Sequence, residues 1–376
     1  MHLHKSQLLP VGCVTAMVVV ATASGVSSQD LPEWTLGAAS LQLDGGETPL
    51  FRVTGAQFMP DGSIAVADAG NARIAVYAVS GRLLRSLGRE GDGPGEFRSL
   101  SHLFVFEDTI AVYDQVNLRF TLWDETDAAP RTWSYLAYGA APPSVQGAFS
   151  SLDYLLTSVE RTPQDARGLF IDQADLLRHT LSEPTAQVLG RGPHRYLYFF
   201  GERGRTTTYR TPFFGATSYA VVSGAIVTVP LHSTRMSFLD PRDGREVAAL
   251  QLPIQEREFD EREITRYRDA LLEHAGDAAT ARRIRDAFEG VEPPATAPAV
   301  RSLVVVGDFV WVERFPGFGE SMVRWVIVDP RTRRAVGTIE LPAGSQPLSG
   351  RDESVLLVER DPYDVETVVV RPVVRD

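Results

Sequence analysis

Cysteine is almost missing from this sequence of 376 residues, which contains one, Cys13. Cys13 lies in an N-terminal segment that we expect to be removed, so the mature chain would carry no thiol. Such a chain cannot form disulfide bonds, use a thiolate as a nucleophile or bind a metal ion through sulfur. We expect its stability to come from its core and its topology.

Basic residues are outnumbered, with 37 Lys and Arg against 48 Asp and Glu and a formal charge of −11. This balance argues against the basic surface that binds nucleic acid or an anionic membrane, so no nucleic-acid partner is expected. The hydrophobic share of 44%, with 31 glycines and 24 prolines, is typical of a globular chain with many turns.

Common catalytic and binding motifs are missing too. No two histidines have the spacing of a standard zinc site, and no Gly-x-Ser-x-Gly elbow holds a nucleophilic serine. The stretch GREGDGPGEF, residues 88 to 97, lacks the Lys-Ser/Thr pair of a phosphate-binding loop. We interpret it as a connection between structural units, in which glycines allow turns and Pro94 fixes one φ angle.

The first 28 residues have the features of a secretory signal peptide. Lys5 precedes an apolar run that ends in small residues, and cleavage is expected after Ala23 or Ser28. A lipoprotein signal ending at Cys13 is the less favoured alternative, because Pro10 lies where that signal has leucine. We expect an exported protein, periplasmic or extracellular, with no transmembrane span in the mature chain of residues 29 to 376.

Two stretches, 61 to 81 and 107 to 127, are copies of one another. Both contain Ile-Ala-Val followed by Asp-x-x-Asn-x-Arg, at a displacement of 46 residues. The repeated residues are Asp68, Asn71 and Arg73, and then Asp114, Asn117 and Arg119. We interpret them as structural, because Asx side chains bond to the backbone of tight turns and an arginine can pair with them. A period of about 40 to 50 residues with several short strands predicts a β-propeller of four-stranded blades.

Weaker copies follow around Arg167, Arg235 and Arg324, and the last copy, SVLLVERDPYDVETVVVRPV, alternates as two strands should. These copies predict six blades. Between the fourth and fifth blades, apolar residues at helical spacing and a capping box at Asp260 and Glu263 predict a helical hairpin over 256 to 290.

The segment ADAGNARIAVY, the Gly-x-Gly-Pro-Gly-Glu-Phe connection and the closing VERDPYDVETVVV resemble the bacterial six-bladed β-propellers related to NHL repeats. The resemblance implies an all-β toroid of six four-stranded blades, although the third to sixth blades have lost the Asp-x-x-Asn pair. It also implies that an N-terminal strand closes the ring against the last blade, and WTLGAASLQLDG, 34 to 45, is the candidate.

We expect ligand-binding residues at the channel mouth, where the innermost strands of a propeller converge. His102 and Arg301 lie at the start of predicted innermost strands and are our candidates there. The aromatic stretch 194 to 214, with Arg203 and Arg205, is a candidate recognition loop. The alternative for this stretch is a loop folded over the edge of the disc.

These observations favour an exported, monomeric binding or interaction module whose ligand is a protein, a peptide or a carbohydrate. No catalytic residue and no cofactor are predicted. The alternative is a metal-dependent hydrolase or lyase, similar to the lactonases among related propellers, with a divalent cation in the channel. Its metal ligands are not assigned, because the predicted entrances at Ala56, His102 and Arg301 carry no carboxylate. A structural partner in an envelope complex is a third alternative, and an apolar patch near 194 to 214 would be its sign.

Overall fold

The computed structural model describes residues 31–124, 129–134, 142–159, 168–200, 207–209, 215–259, 261–289 and 296–375. The predicted signal peptide with Cys13, the repeat residue Arg167, and the candidate residues Arg203 and Arg205 lie outside the described residues.

The described chain is built from short strands and one pair of helices. In chain order the strands are β1 (Glu33–Leu36), β2 (Leu41–Leu43), β3 (Val53–Phe58), β4 (Ile64–Asp68), β5 (Arg73–Tyr77), β6 (Leu83–Leu87), β7 (Arg89–Glu90), β8 (Glu96–Phe97), β9 (Leu100–Phe106), β10 (Thr109–Asp114), β11 (Arg119–Trp123), β12 (Arg131–Ser134), β13 (Ser144–Ser150), β14 (Asp153–Val159), β15 (Gly168–Thr180), β16 (Gln187–Phe200), β17 (Thr207–Tyr209), β18 (Ser218–Val222), β19 (Ala225–Val229), β20 (Arg235–Leu239), β21 (Glu246–Gln251), β22 (Val300–Val306), β23 (Phe309–Arg314), β24 (Met322–Asp329), β25 (Arg334–Pro342), β26 (Ser345–Arg351), β27 (Ser354–Arg360) and β28 (Glu366–Arg375). The helices are α1 (Glu261–Glu273) and α2 (Ala278–Glu289).

Strand pairing follows chain order, as in a β-propeller. It gives three separate four-stranded sheets, β3 to β6, β9 to β12 and β18 to β21, and one five-stranded sheet, β13 to β17. The series β22 to β25 and β26 to β28 are joined through β1 into a single nine-stranded sheet that also includes β2. Apart from the two-stranded pair β7 and β8, the described chain thus has five sheets, so the sheets do not by themselves confirm the six blades that the sequence predicts. The innermost strands border a central cavity, which is the arrangement of a β-propeller.

The hydrophobic core lies between successive sheets. Alternate residues of β4 point to opposite neighbours: Val66 packs in one cluster with Leu356 of β27, and Ala67 packs in another with Val112 of β10. Because sheets cover both of its faces, β4 is a continuous buried run, Ile-Ala-Val-Ala-Asp, and not an alternating one. The outermost strand β6 is mostly exposed and alternates in its burial.

The N-terminal segment closes the ring, as the sequence predicts. β1 pairs antiparallel with β28, with Trp34 opposite Arg375, and β2 pairs with the same strand, with Leu41 opposite Val370. β1 also runs parallel to β25. The Trp34 side chain is buried and packs edge-to-face on Phe309, at 5.3 Å between ring centroids. The edge that β28 would otherwise expose is thereby covered.

The two copies of the repeat form similar turns with different arginine contacts. Asp68 Oδ1 accepts a hydrogen bond from the Phe51 N–H, and Asp68 also accepts bonds from the side chains of Asn71 and Arg73. Asp114 is fully buried and accepts the backbone N–H groups of Arg98, Ser99, Val116 and Asn117. Both carboxylates therefore hold the chain that enters an innermost strand.

Arg119 instead braces the connection GREGDGPGEF. Its guanidinium donates to the main-chain oxygens of Asp92, Gly93 and Glu96. The segment joins β6 to β9 and contains the short parallel pair β7 and β8. Gly88 has a φ of +86°, and a Cβ there would collide with the Phe97 ring, so no other residue suits this turn. The prediction of a connection between sheets is confirmed.

Two insertions rise from the same end of the ring. The helical hairpin α1–α2 lies between β21 and β22, within the predicted range, and therefore precedes the start of an innermost strand. β15 and β16 continue past the end of β14, whose last residues pair with the start of β13. The expectation of a loop from residue 194 is wrong for its first part, because residues up to Phe200 belong to β16 and pair with β15.

Candidate functional site

The central cavity has a volume of about 720 Å³ and is lined by residues of β3, β9, β13, β18, β22 and β26. Because these are the innermost strands, each has one backbone edge that no neighbouring strand covers, and that edge faces the cavity. The cavity therefore offers main-chain N–H and C=O groups as well as side chains.

One end of the cavity carries a ring of polar side chains, which we call the polar mouth. Each innermost strand contributes one residue near its first position: Thr54, Ser101, Gln146, Ser218, Arg301 and Gln346. This is the end from which both insertions rise. The strands alternate, so the side chains deeper in the cavity are chiefly apolar, among them Leu103, Phe104 and Leu303.

β-bulges shape this mouth. The register of β3 against β4 shifts at Thr54, and that of β9 against β10 shifts at Ser101. The same shift occurs at Gln146 of β13 and at Arg301 of β22. A bulge leaves the extra residue out of the pairing ladder and redirects its side chain. The same irregularity at equivalent positions of four strands places four polar residues around one space.

Arg301 is the one cation of the polar mouth. Its Nη1 donates to Glu313 Oε1 at 3.2 Å, and Ser302 Oγ donates to Glu313 Oε2 at 2.6 Å. The Glu313 side chain is 11% exposed, against 58% for Arg301. A buried carboxylate therefore fixes one nitrogen of the guanidinium from behind, while most of the guanidinium remains open to solvent.

His102 lines the same wall as a neutral group. The ring is half-buried among the innermost strands, and this burial lowers the pKa of the imidazole to about 4. Nδ1 lies 3.1 Å from Ser101 Oγ, and the ring stacks against Phe104 at 6.2 Å between centroids. At neutral pH His102 can take part in hydrogen bonds but contributes no charge.

Polar side chains deeper in the cavity form hydrogen bonds to other residues of its wall. Gln57 of β3 donates to the Leu103 oxygen and accepts the Val105 N–H, which ties β3 to β9. At the opposite end, Arg351 donates to the Met59 oxygen at 2.8 Å and lies over the Phe58 ring at 4.9 Å. The side chains available to a ligand are therefore concentrated at the polar mouth.

The helical hairpin stands beside this mouth. Burial raises the pKa of the Tyr267 phenol in α1, and the charge of the nearby Arg301 opposes that shift. Tyr267 packs edge-to-face on Phe318 at 5.8 Å, and Glu263 accepts the Phe318 N–H at 2.8 Å. Glu263 also pairs with Arg257, and α2 contacts β16. The hairpin thus bridges the two sides of the ring next to Arg301.

The structure brings the two channel candidates from the sequence together, because both His102 and Arg301 line the cavity. Their role in ligand binding stays a prediction. Sequence reasoning missed Thr54, Ser101, Gln146, Ser218 and Gln346, and it missed Glu313 behind Arg301. Aligning the first residues of all innermost strands would have found most of the ring. Among the described residues, no group of three or more His, Cys, Asp or Glu is placed to hold a metal ion.

No protein-family model matches the sequence, and no curated protein matches it. Among solved structures, the chain is similar to a member of the DUF4221 family from Bacteroides vulgatus, with a TM-score of 0.52, 10% identity, and coverage of 92% of this chain and 99% of that chain. It is similar to a Bacteroides fragilis protein whose name suggests export, with a TM-score of 0.50, 13% identity, and coverage of 94% and 98%. It is also similar to virginiamycin B lyase from Staphylococcus aureus, with a TM-score of 0.42, 8% identity, and coverage of 91% and 99%.

These likenesses concern the fold alone. The order of the strands around the central cavity is that of a β-propeller. Within the part of the chain that the structure describes, no helix is long and apolar enough to span a membrane.

Proposed function

We propose that the protein is an exported six-bladed β-propeller that binds a small ligand at its polar mouth. The observation that carries the proposal is the ring itself: every strand that lines the cavity presents one polar side chain at the same end. A concave site with a few convergent polar groups is the usual form of a ligand pocket.

Six blades are supported by how the core is divided. Six hydrophobic clusters alternate with the innermost strands, and each cluster packs two successive strand series together. The nine-stranded sheet contains two such series, whose strand pairing within the described residues runs only through β1. The repeated Asp-x-x-Asn-x-Arg turn supports a relationship to NHL repeats, and the predicted signal peptide supports export.

Binding is favoured over metal-dependent catalysis by the charge of the cavity. Its described lining contains two guanidinium groups, those of Arg301 at one mouth and Arg351 at the other, and no carboxylate that could hold a cation. The chain as a whole carries a formal charge of −11, so a cavity with two guanidinium groups is an exception within it. This contrast favours an anionic or neutral polar ligand.

Thermal unfolding of the mature chain tests the proposal with three probes, trialanine, maltotriose and D-glucuronate, up to about 10 mM each. A ligand that binds the folded state raises the unfolding midpoint in a saturable way. We expect at least one probe to do so, and we expect Thr54→Trp, which fills the exposed mouth, to abolish the effect. Thr35→Trp on the outer strand β1 is the matched control, since Thr35 is also exposed. A midpoint shift that survives Thr54→Trp, or none with any probe, would contradict the proposal.

A further inference from the structure

We propose that the ligand is a sugar acid, a hydroxylated monocarboxylate whose carboxylate binds Arg301. This inference rests on the proposed function and adds the chemical class of the ligand. It comes from three features of the polar mouth: the open edge of one guanidinium, the carboxylate behind it, and the neutral polar side chains around it.

The open edge of Arg301 suits a carboxylate. Within the described residues, the guanidinium makes one hydrogen bond, from Nη1 to Glu313, which leaves Nε and Nη2 available. These two nitrogens form one planar edge, and a carboxylate can accept from both at once. Since Nη1 is held by a buried partner, the edge is oriented before a ligand arrives, and little entropy is lost in binding.

Glu313 limits the charge that the site accepts. Its carboxylate lies 3.2 Å from Arg301 Nη1 and is mostly buried, so its charge is poorly screened by solvent. Together Glu313 and Arg301 have no net charge, and a monoanion on the open edge restores one negative charge to the group. A phosphate dianion would add a second negative charge near Glu313 without a second cation. A monocarboxylate is therefore preferred.

The neighbours of Arg301 suit hydroxyl groups. The side chains of Thr54, Ser218 and Gln346 make no hydrogen bond within the described part of the chain, and all three line the cavity. Each can donate to and accept from a hydroxyl group.

Three probes with one pyranose ring and different groups at carbon 6 test the inference by titration calorimetry: D-glucuronate, D-glucose and D-glucose 6-phosphate. We expect D-glucuronate to bind at least about tenfold more tightly than either of the others. Arg301→Gln should lose this preference, and Arg301→Lys should weaken it, because lysine keeps the charge without the planar edge. Arg82→Gln, in the exposed turn before the outermost strand β6, is the matched control and should bind as the unsubstituted protein does.

The variant Glu313→Gln distinguishes two roles of Glu313: limiting the negative charge that the site accepts, and supporting the wall of the cavity. Glutamine still accepts the Ser302 hydroxyl, so the wall is retained, but the charge behind Arg301 is removed. We expect D-glucose 6-phosphate to gain affinity relative to D-glucuronate in this variant. A purely structural glutamate would change both affinities in the same ratio.

Equal affinity for D-glucuronate and D-glucose, or unchanged D-glucuronate binding in Arg301→Gln, would overturn the inference. If maltotriose or trialanine binds in a Thr54-dependent way while D-glucuronate does not, the sugar-acid inference fails and the binding function stands. If none of the probes binds, both fail.

Discussion

Arg73 Nε donates to Asp68 Oδ2 at 2.8 Å, whereas Arg119, five residues after Asp114 in the second copy of the same repeat, donates to main-chain oxygens of the connection 88 to 97. Arg73 Nη2 also donates to the main-chain oxygen of Thr48, at 2.9 Å, in the segment that leads into β3. The repeated sequence therefore preserves the turn carboxylate and an arginine that braces the preceding segment, whereas the hydrogen bond from Arg73 to its own turn carboxylate belongs to the first copy. The Asp114 carboxylate accepts its hydrogen bonds from backbone N–H groups and from the Asn117 side chain.

Asp114→Ala should destabilise the fold strongly. The carboxylate is fully buried and accepts four backbone N–H groups, which alanine would leave without partners. We expect a loss of about 2–3 kcal/mol in the free energy of unfolding, measured by urea denaturation.

Asp308→Ala is the control, because Asp308 is exposed in the turn between β22 and β23. It should change the free energy of unfolding by less than about 0.5 kcal/mol. Ligand affinity of folded Asp114→Ala should be unchanged, and a selective loss of binding would contradict the structural role of this turn.

The repeat and the helical hairpin could be predicted from sequence because each depends on local pattern, and the closure by residues 34 to 45 followed from the resemblance to known propellers. The polar mouth could not be predicted in full, because Thr54 and Gln346 are distant in the chain and meet only through the closed ring. The pair of Arg301 and Glu313 was missed for a related reason: a β-bulge at Arg301 sets which residue of β23 it faces. Bulges follow from packing between sheets, which alternation does not encode.

Gly337→Ala should destabilise the ring closure, because the added methyl group would collide with Trp34. A Cβ at this position would fall within the indole of Trp34, which packs between β25 and β28. We expect a cost of about 1–3 kcal/mol in the free energy of unfolding, as for other overpacked sites. In the background of Trp34→Ala the cost should vanish, because the obstructing ring is gone.

Gly190→Ala is the control for that cycle, since a Cβ at Gly190 would meet no atom. It should leave the free energy of unfolding nearly unchanged. Additive effects of Gly337→Ala and Trp34→Ala would show that the two residues do not interact.

Excision of the helical hairpin should leave the ring folded. Glu258 and Thr296 form a β-bridge, and the Ala297 N–H donates to the Arg257 oxygen at 2.7 Å, so the two ends of the insertion lie side by side. No residue of α1 is buried. Replacing residues 259 to 295 by two glycines should lower the unfolding midpoint by less than about 5 °C.

The same excision should open the polar mouth. A chain expressed from residue 29 lacks Cys13 and so has no cysteine, and Arg301→Cys then provides a single thiol beside Tyr267. Excision should raise its rate of modification by a charged thiol reagent about tenfold if the hairpin restricts access. Thr35→Cys on β1 is the control, and an equal rate increase at both thiols would contradict a role for the hairpin as a cover.

Removal of divalent cations should not affect stability. The described lining of the cavity contains no carboxylate that could hold a cation. We expect the unfolding midpoint to be the same in EDTA and in millimolar Ca²⁺, Mg²⁺, Mn²⁺ or Zn²⁺. A midpoint that falls in EDTA and is restored by one ion would instead favour the metal-dependent hydrolase or lyase.

His102 should make the fold less stable in mild acid. Burial lowers its pKa from the ordinary 6.5 to about 4, so between these pH values the unfolded chain binds a proton that the folded chain does not. The free energy of unfolding therefore falls as the pH drops from about 6.5 to about 4, by on the order of 2–3 kcal/mol from this group. His179 and His232, whose pKa values are also lowered by burial, act in the same direction.

The variant His102→Gln tests this expectation by urea denaturation from pH 4 to 8. It should remove one part of the pH dependence of the free energy of unfolding, whereas His274→Gln, at an exposed position, should not. Identical slopes in His102→Gln and the unsubstituted protein would mean that water reaches the imidazole from the cavity, and that the polar mouth gains a second cation in acid.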